Sequence, residues 1–233
     1  MRVLITGAAG MLGRKLTGRL LEQGCLRGDR ISAVDLVDLV EAPVDSELCT
    51  THVVDLSRPG EAEALVSVGP DVVFHLAAVV SAEAEADFNK GMGVNVDGTR
   101  QLFDAIRLAP GAPRVVYASS IAVFGAPFPD PIPDDFHPTP LTSYGTQKLI
   151  GEALLADYSR RGFFDGVGAG YPAEGLDLLA HRHRHARHGE VAAAAQPGRV
   201  QLGGVDEEPD GGAGAGMGMA HVTRYRQFGL KAG

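Results

Sequence analysis

Tryptophan is absent from this chain, and cysteine occurs only twice, at Cys25 and Cys49. Two thiols without redox-like or metal-like spacing exclude a disulfide framework, and both read as bystanders in a reducing compartment. No apolar run approaches the roughly 20 residues needed to span a bilayer, and the opening MRVLITGAAG reaches glycine too early for a secretory leader. Positive charge is also scarce. The 21 Lys and Arg stand against 29 Asp and Glu, a net charge of -8, which opposes a phosphate backbone or an anionic lipid surface. Nucleic acid and membrane are therefore not expected as partners, and a cytoplasmic globular protein is. At 233 residues and 45% hydrophobic content, the chain can build one substantial core, or a domain with a smaller appendage.

What the sequence does contain is alternation. Short β-branched runs at Arg2 to Thr6, Ile31 to Asp35, Val53 to Asp55, Val72 to Leu76 and Val115 to Ser119 are separated by helical patterns. Helices are expected from Met11 to Gln23, near Gly60 to Val68, in a long stretch ending near Leu108, and from Tyr144 to Arg161. Runs such as DVVFHL and RVVYAS are apolar on both faces, as a parallel sheet covered by helices on each side requires. The expected fold is α/β, a doubly wound parallel sheet of Rossmann-like type. Residues 126 to 140 carry six prolines in fifteen positions, which predicts an irregular, semi-rigid loop.

Three groups of residues carry chemistry. Gly7, Gly10 and Gly13 in TGAAGMLG follow a strand and open a helix, so the backbone there, including Met11 and Leu12, is expected to approach a dinucleotide pyrophosphate. Asp35, 22 residues beyond Gly13, is the expected carboxylate for the adenosine ribose, with Asp38 nearby. A carboxylate there favours NAD over NADP. Asp55, at the end of the third strand, and Leu56 beside it are expected at the adenine edge. Tyr144 and Lys148 stand four residues apart on one helical face, so the ammonium can favour the phenolate needed for proton abstraction. Ser120 lies at the carboxyl end of a parallel strand, where ligands bind, and is expected to hold the substrate oxygen. Ser119 competes for that role.

Taken together, TGAAGMLG, VDL, VVDLS, HLAA, VNVDGT, YASSIAVFG and YGTQK resemble the NAD-dependent epimerase/dehydratase group of extended short-chain dehydrogenases. Within it, SSIAVFGAPFP, IPDDFHPTPLTSYGTQKLIGE and RRGFFDGVG are similar to the D-erythronate dehydrogenases. The resemblance implies NAD-dependent oxidation of a small sugar acid at its C2 hydroxyl, with Ser120, Tyr144 and Lys148 as the catalytic group. It adds Ala77 and Ala78 beside the nicotinamide, Ser81 as a substrate contact, and Asn95 as support for the active-site backbone. Asn95 read from the residues alone is a helix-interior asparagine bonding its own turn. Related enzymes commonly form homodimers through the helix of Tyr144. The rival readings are a nucleotide-sugar epimerase or dehydratase and a non-catalytic NAD-binding fragment.

The resemblance covers residues 1–168, the expected NAD-binding catalytic domain. Residues 169–233 contain no Ile and 13 of the 31 glycines, with no period of 2 or 3.6, and read as a low-complexity or frameshifted tail. No sixth strand and no regular substrate domain can be read there. His181, His183, His185 and His188 alternate with arginine and offer no carboxylate or thiol at ligand spacing, so no metal is expected.

Overall fold

The computed structural model describes residues 1–127, 129, 132–133 and 136–169. In chain order it contains β1 (Arg2–Thr6), α1 (Met11–Gln23), β2 (Cys25–Leu26), β3 (Asp29–Arg30), β4 (Ala33–Asp38), β5 (Cys49–Val53), α2 (Glu61–Val66) and β6 (Val72–His75). These are followed by α3 (Ser81–Ala86), α4 (Phe88–Gly91), a π-helical stretch (Met92–Gly98), α5 (Thr99–Leu108), β7 (Arg114–Ala118), a 3₁₀ turn (Ile121–Val123), α6 (Ser143–Arg160) and β8 (Asp165–Ala169). The main sheet runs β5-β4-β1-β6-β7-β8 with every pairing parallel, and β2 and β3 form a separate antiparallel hairpin. The strand order reverses at β1, which places a ligand crevice outside its carboxyl end.

Alternation along the central strands explains why both faces must be covered. In β1, Leu4 joins Val73, Phe103, Val115 and Tyr117 in one core, while Val3 and Ile5 join Leu16, Leu20, Leu36 and Phe74 in the other. Helices α2 and α5 supply Leu65, Leu102 and Ile106 to the first layer, and α1 supplies Leu16 and Leu20 to the second. Helix α1 ends where Gly24 adopts φ 62° and its N–H bonds the Leu20 carbonyl at 2.9 Å, a left-handed closure that suits glycine.

Three expectations change. The strand read as Ile31 to Asp35 runs on to Asp38, because Leu36 and Val37 continue the two-faced burial. The expected strand at Val53 to Asp55 lies earlier, at Cys49–Val53, an edge strand whose half-exposed CTTHV has little apolar signature. The long helix ending at Leu108 is broken at Asp87, whose extended backbone (φ -132°) lets its carboxylate accept from Lys90 N. It then widens into the π-helical stretch before α5.

The sixth strand is also present, contrary to the sequence reading. Residues Asp165–Ala169 pair with β7 from Arg114 to Ala118. Two glycines conceal DGVGA as a strand, but they fit its surroundings: a Cβ on Gly166 would come within 3.0 Å of Leu155 Cγ, and Gly166 N donates to Ser159 Oγ at 3.0 Å. The Arg114–Asp165 ion pair links the first residues of both strands. The expectations for residues 170–233, the tail and its histidines included, lie outside the described residues. No helix among the described residues is long and apolar enough to cross a membrane.

Candidate active site

The loop after β1 is a backbone construction. Gly7 adopts φ +73°, and a Cβ there would lie 2.7 Å from Ala77 N. A Cβ on Gly13 would lie 2.5 Å from Ala8 Cα and closer still to the Gly7 carbonyl oxygen. Glycine at these positions lets β1, the start of α1 and the Ala77 segment after β6 converge. Gly10 caps α1 with no side-chain hydrogen bond, and the first turn carries no acidic residue. The helix start at Met11 and Leu12 thus presents unsatisfied N–H groups and a positive dipole end, the donor set that fits a pyrophosphate.

The acidic residue beside this loop is Asp38, not the expected Asp35. Asp38 ends β4, and its Oδ2 accepts from Ala9 N, inside the glycine loop, at 2.8 Å. Asp35 lies opposite Leu4 in mid-strand and is 2% exposed. Its oxygens accept from Arg2 Nε at 2.7 Å and pair with His52 Nε2 at 3.0 Å. Burial alone would raise its pKa, but Arg2 and His52 outweigh that and hold it below the ordinary carboxylate value. The reason for the correction is the three extra residues of β4. Asp55 lies beyond β5, accepts from Ser57 N and Oγ, and is held below its ordinary pKa chiefly by that hydroxyl. The side chain of Leu56 belongs to the core.

Chemistry concentrates where β7 meets α6. Thr142 caps α6 by accepting from Gly145 N at 3.0 Å. A Cβ on Gly145 would strike the Ala122 carbonyl and come within 3.1 Å of Pro140, so this glycine brings α6 against the turn that follows Ser120. The Ser120 side chain stands near enough to the Tyr144 hydroxyl to act on its titration. Burial raises the Tyr144 pKa above its ordinary value, and the nearby Ser120 hydroxyl opposes that rise. Lys148 is 2% exposed, donates from Nζ to the Ala118 carbonyl at 2.8 Å, and lies 5.8 Å from the centre of the Tyr144 ring. Burial pushes its ammonium down to about 8, while Glu152 opposes the shift. The Ser119 hydroxyl donates to Glu152 Oε1, so of the two serines it is Ser120 that accompanies Tyr144.

Asn95 links this cluster to the crevice. It is 1% exposed within the π-helical stretch, a distortion frequent at functional sites. Its Oδ1 accepts from Val79 N at 2.8 Å, and its Nδ2 donates to the Val79 carbonyl at 3.0 Å and Gln147 Oε1 at 2.7 Å. It therefore clamps the segment after β6, which carries Ala77 and Ala78, to the residue preceding Lys148. Ala77 N lies 3.3 Å from Thr6 Oγ1, at the end of β1. Ser81 is exposed at the start of α3. Sequence reasoning missed Gln147 and Glu152; the only signal for them was their place on the buried side of the Tyr144 helix. No cluster that could hold a metal occurs among the described residues.

The model of the NAD dependent epimerase/dehydratase family matches residues 3–172. D-erythronate dehydrogenase from Cupriavidus necator is 47% identical over 172 residues, covering 71% of this chain and 53% of that protein. The nucleoside-diphosphate-sugar epimerase from Agrobacterium tumefaciens superposes with a TM-score of 0.71 at 54% identity, covering 83% of this chain and 56% of that one. A variant of uronate dehydrogenase from the same organism, complexed with NAD, gives 0.61 at 29% identity, covering 72% and 58%. The chain thus spans about half the length of the curated relatives it matches. With its glycine loop, sheet order and Ser120, Tyr144 and Lys148 grouping accounted for, the chain belongs to the NAD dependent epimerase/dehydratase family.

Proposed function

We propose that the chain carries the cofactor-binding and catalytic half of an NAD-dependent dehydrogenase that oxidises the C2 hydroxyl of a small sugar acid such as D-erythronate. The observation that carries this reading is the buried Lys148, bonded to the Ala118 carbonyl and 5.8 Å from the Tyr144 ring centre, at the carboxyl end of β7 where Ser120 follows. The glycine loop and α1 start would hold the pyrophosphate, Asp38 would accept from the ribose hydroxyls and repel a 2′-phosphate, and Ala77 and Ala78 are assigned to the nicotinamide side. Bound NAD would supply the two-electron acceptor for the hydride of the carbinol carbon. Ser120 orients the substrate hydroxyl, and Tyr144 takes its proton as the carbonyl forms. Lys148 places a positive charge over the Tyr144 ring and so favours the phenolate. Ser81 is assigned to the substrate side.

The similarity to D-erythronate dehydrogenase supports the sugar acid. The similarity to a nucleoside-diphosphate-sugar epimerase supports a second reading, in which the same Tyr144 and Lys148 act on a nucleotide sugar. A third reading is an NAD-binding module without turnover. The test is NADH formation by the full chain with NAD and D-erythronate, beside UDP-glucose with NAD. NADH from the sugar acid alone is the expected result. Interconversion of the nucleotide sugar without net NADH supports the epimerase, and NAD binding with neither reaction supports the module.

A further inference from the structure

Three consecutive residues at the end of β7 stand against three positions of α6. Ala118 accepts from Lys148, Ser119 donates to Glu152, and Ser120 stands near enough to Tyr144 to act on its titration. Two of these pairings belong to the catalytic group; the Ser119–Glu152 link does not, although Glu152 is 7% exposed. Lys148 and Glu152 stand four residues apart on α6 with the lysine nearer the N-terminus, the weaker order for stabilising a helix by an ion pair. Surface helix stabilisation therefore does not explain why a carboxylate is buried one turn beyond the lysine.

We propose that Glu152 is a positioning residue of the Tyr144–Lys148 pair: anchored by the Ser119 hydroxyl, its carboxylate keeps the buried Lys148 ammonium charged and ties the end of β7 to α6. The inference rests on the dehydrogenase reading for what the Lys148 charge is used for. A buried ammonium without a counter-charge loses its proton or destabilises the fold, and a single carbonyl at Ala118 supplies only a dipole. The groups around the pair are consistent with this role. Tyr144 faces it from α6, and Tyr117 faces it from β7, with Lys148 Nζ 4.9 Å from its ring centre. His75 approaches from β6 and, chiefly through burial and secondarily through Lys148, is pushed down to about 3, so it stays neutral and offers no competing charge. Burial pushes Glu152 itself up to about 7, while Ser119 and Lys148 hold it down. Removing the Ser119 bond thus lets Glu152 protonate at higher pH and weakens its hold on Lys148.

The test is a pH titration of Lys148 in the full chain without substrate, by lysine-selective carbon NMR, with Lys148→Met to assign the resonance. Glu152→Gln keeps the shape and an acceptor for Ser119 but removes the charge. It is expected to lower the Lys148 midpoint by about one pH unit or more, with Glu152→Asp restoring part of the shift. Ser119→Ala is expected to lower the midpoint by less, and it decides the matter if the glutamine variant does not fold. A purely structural Glu152 would change the melting temperature and leave the midpoint in place. An unmoved midpoint in Glu152→Gln, or in Ser119→Ala, overturns the proposal. NAD affinity measured on the same samples separates the two questions: a wild type that does not bind NAD removes the dehydrogenase reading, while the Lys148 midpoint still decides the role of Glu152.

Discussion

The carboxyl ends of β1 and β7 face the same crevice but are built by opposite means. After β1 the site consists of backbone: glycines at 7, 10 and 13, an uncapped helix start, and one carboxylate, Asp38, fastened to Ala9 N. After β7 it consists of side chains: Ser119, Ser120, Tyr144, Lys148 and Glu152, tied to the strand end by two cross-links, Ser119–Glu152 and Lys148–Ala118, and largely buried. The first is specified by steric fit and fixed dipoles, so it tolerates no added atoms. The second is specified by electrostatics in a dry setting, where removing one functional group leaves the shape intact and changes the chemistry. Substitutions can therefore separate binding from turnover.

Tyr144→Phe should give the largest effect of this kind. Removing the proton acceptor is expected to lower the rate of NADH formation by about 10²- to 10⁴-fold and to leave NAD affinity unchanged, as steady-state kinetics and calorimetry would show. Equal losses in both would break the separation. Gly13→Val acts at the other end. Its Cβ has no room between Ala8 and the Gly7 carbonyl, and overpacking of this kind costs about 1–3 kcal/mol. It should weaken NAD binding by about 10- to 100-fold, measured by fluorescence titration, while the Lys148 midpoint stays in place.

The two aspartates of β4 sharpen the comparison within one strand. Asp38→Ala should weaken NAD by about tenfold, since a hydrogen bond to a charged group contributes about 1.5–3 kcal/mol, and should narrow the preference over NADP. Asp35→Asn should lower the melting temperature through its ties to Arg2 and His52 and leave the NAD/NADP ratio unchanged. The smallest effect is expected at Tyr117, whose buried hydroxyl has no hydrogen-bond partner among the described residues. Tyr117→Phe should leave stability level or raise it by up to about 1 kcal/mol in denaturant unfolding. A large loss would mean that this hydroxyl is used.

The parts of the fold that were legible in the sequence are those where one local signal dominates. Arg2–Thr6 and Met11–Gln23 carry uninterrupted apolar runs or helical periodicity between glycines, and the structure has them at those bounds. Strand β8 was hidden because Gly166 and Gly168 suppress strand propensity, although packing against α6 and the Arg114 ion pair favour it. Asp35 was singled out over Asp38 because spacing counts residues and does not show where a strand stops. The grouping of Ser120, Tyr144 and Lys148 was readable from order and spacing. The partners of Asn95 on Val79 and Gln147 were not, because those contacts join segments 16 and 52 residues away. Glu152 lies within TSYGTQKLIGE, but its burial beside Ser119 exists only once α6 packs on β7.

The central claim is that the glycine loop after β1 and the start of α1 form the pyrophosphate part of an NAD site. Calorimetric titration of the full chain with NAD tests it most directly, with Gly13→Val as the matched control. The account predicts saturable one-to-one binding that the valine variant weakens by about 10- to 100-fold. No binding by the wild-type chain, or equal binding by both proteins, would contradict it.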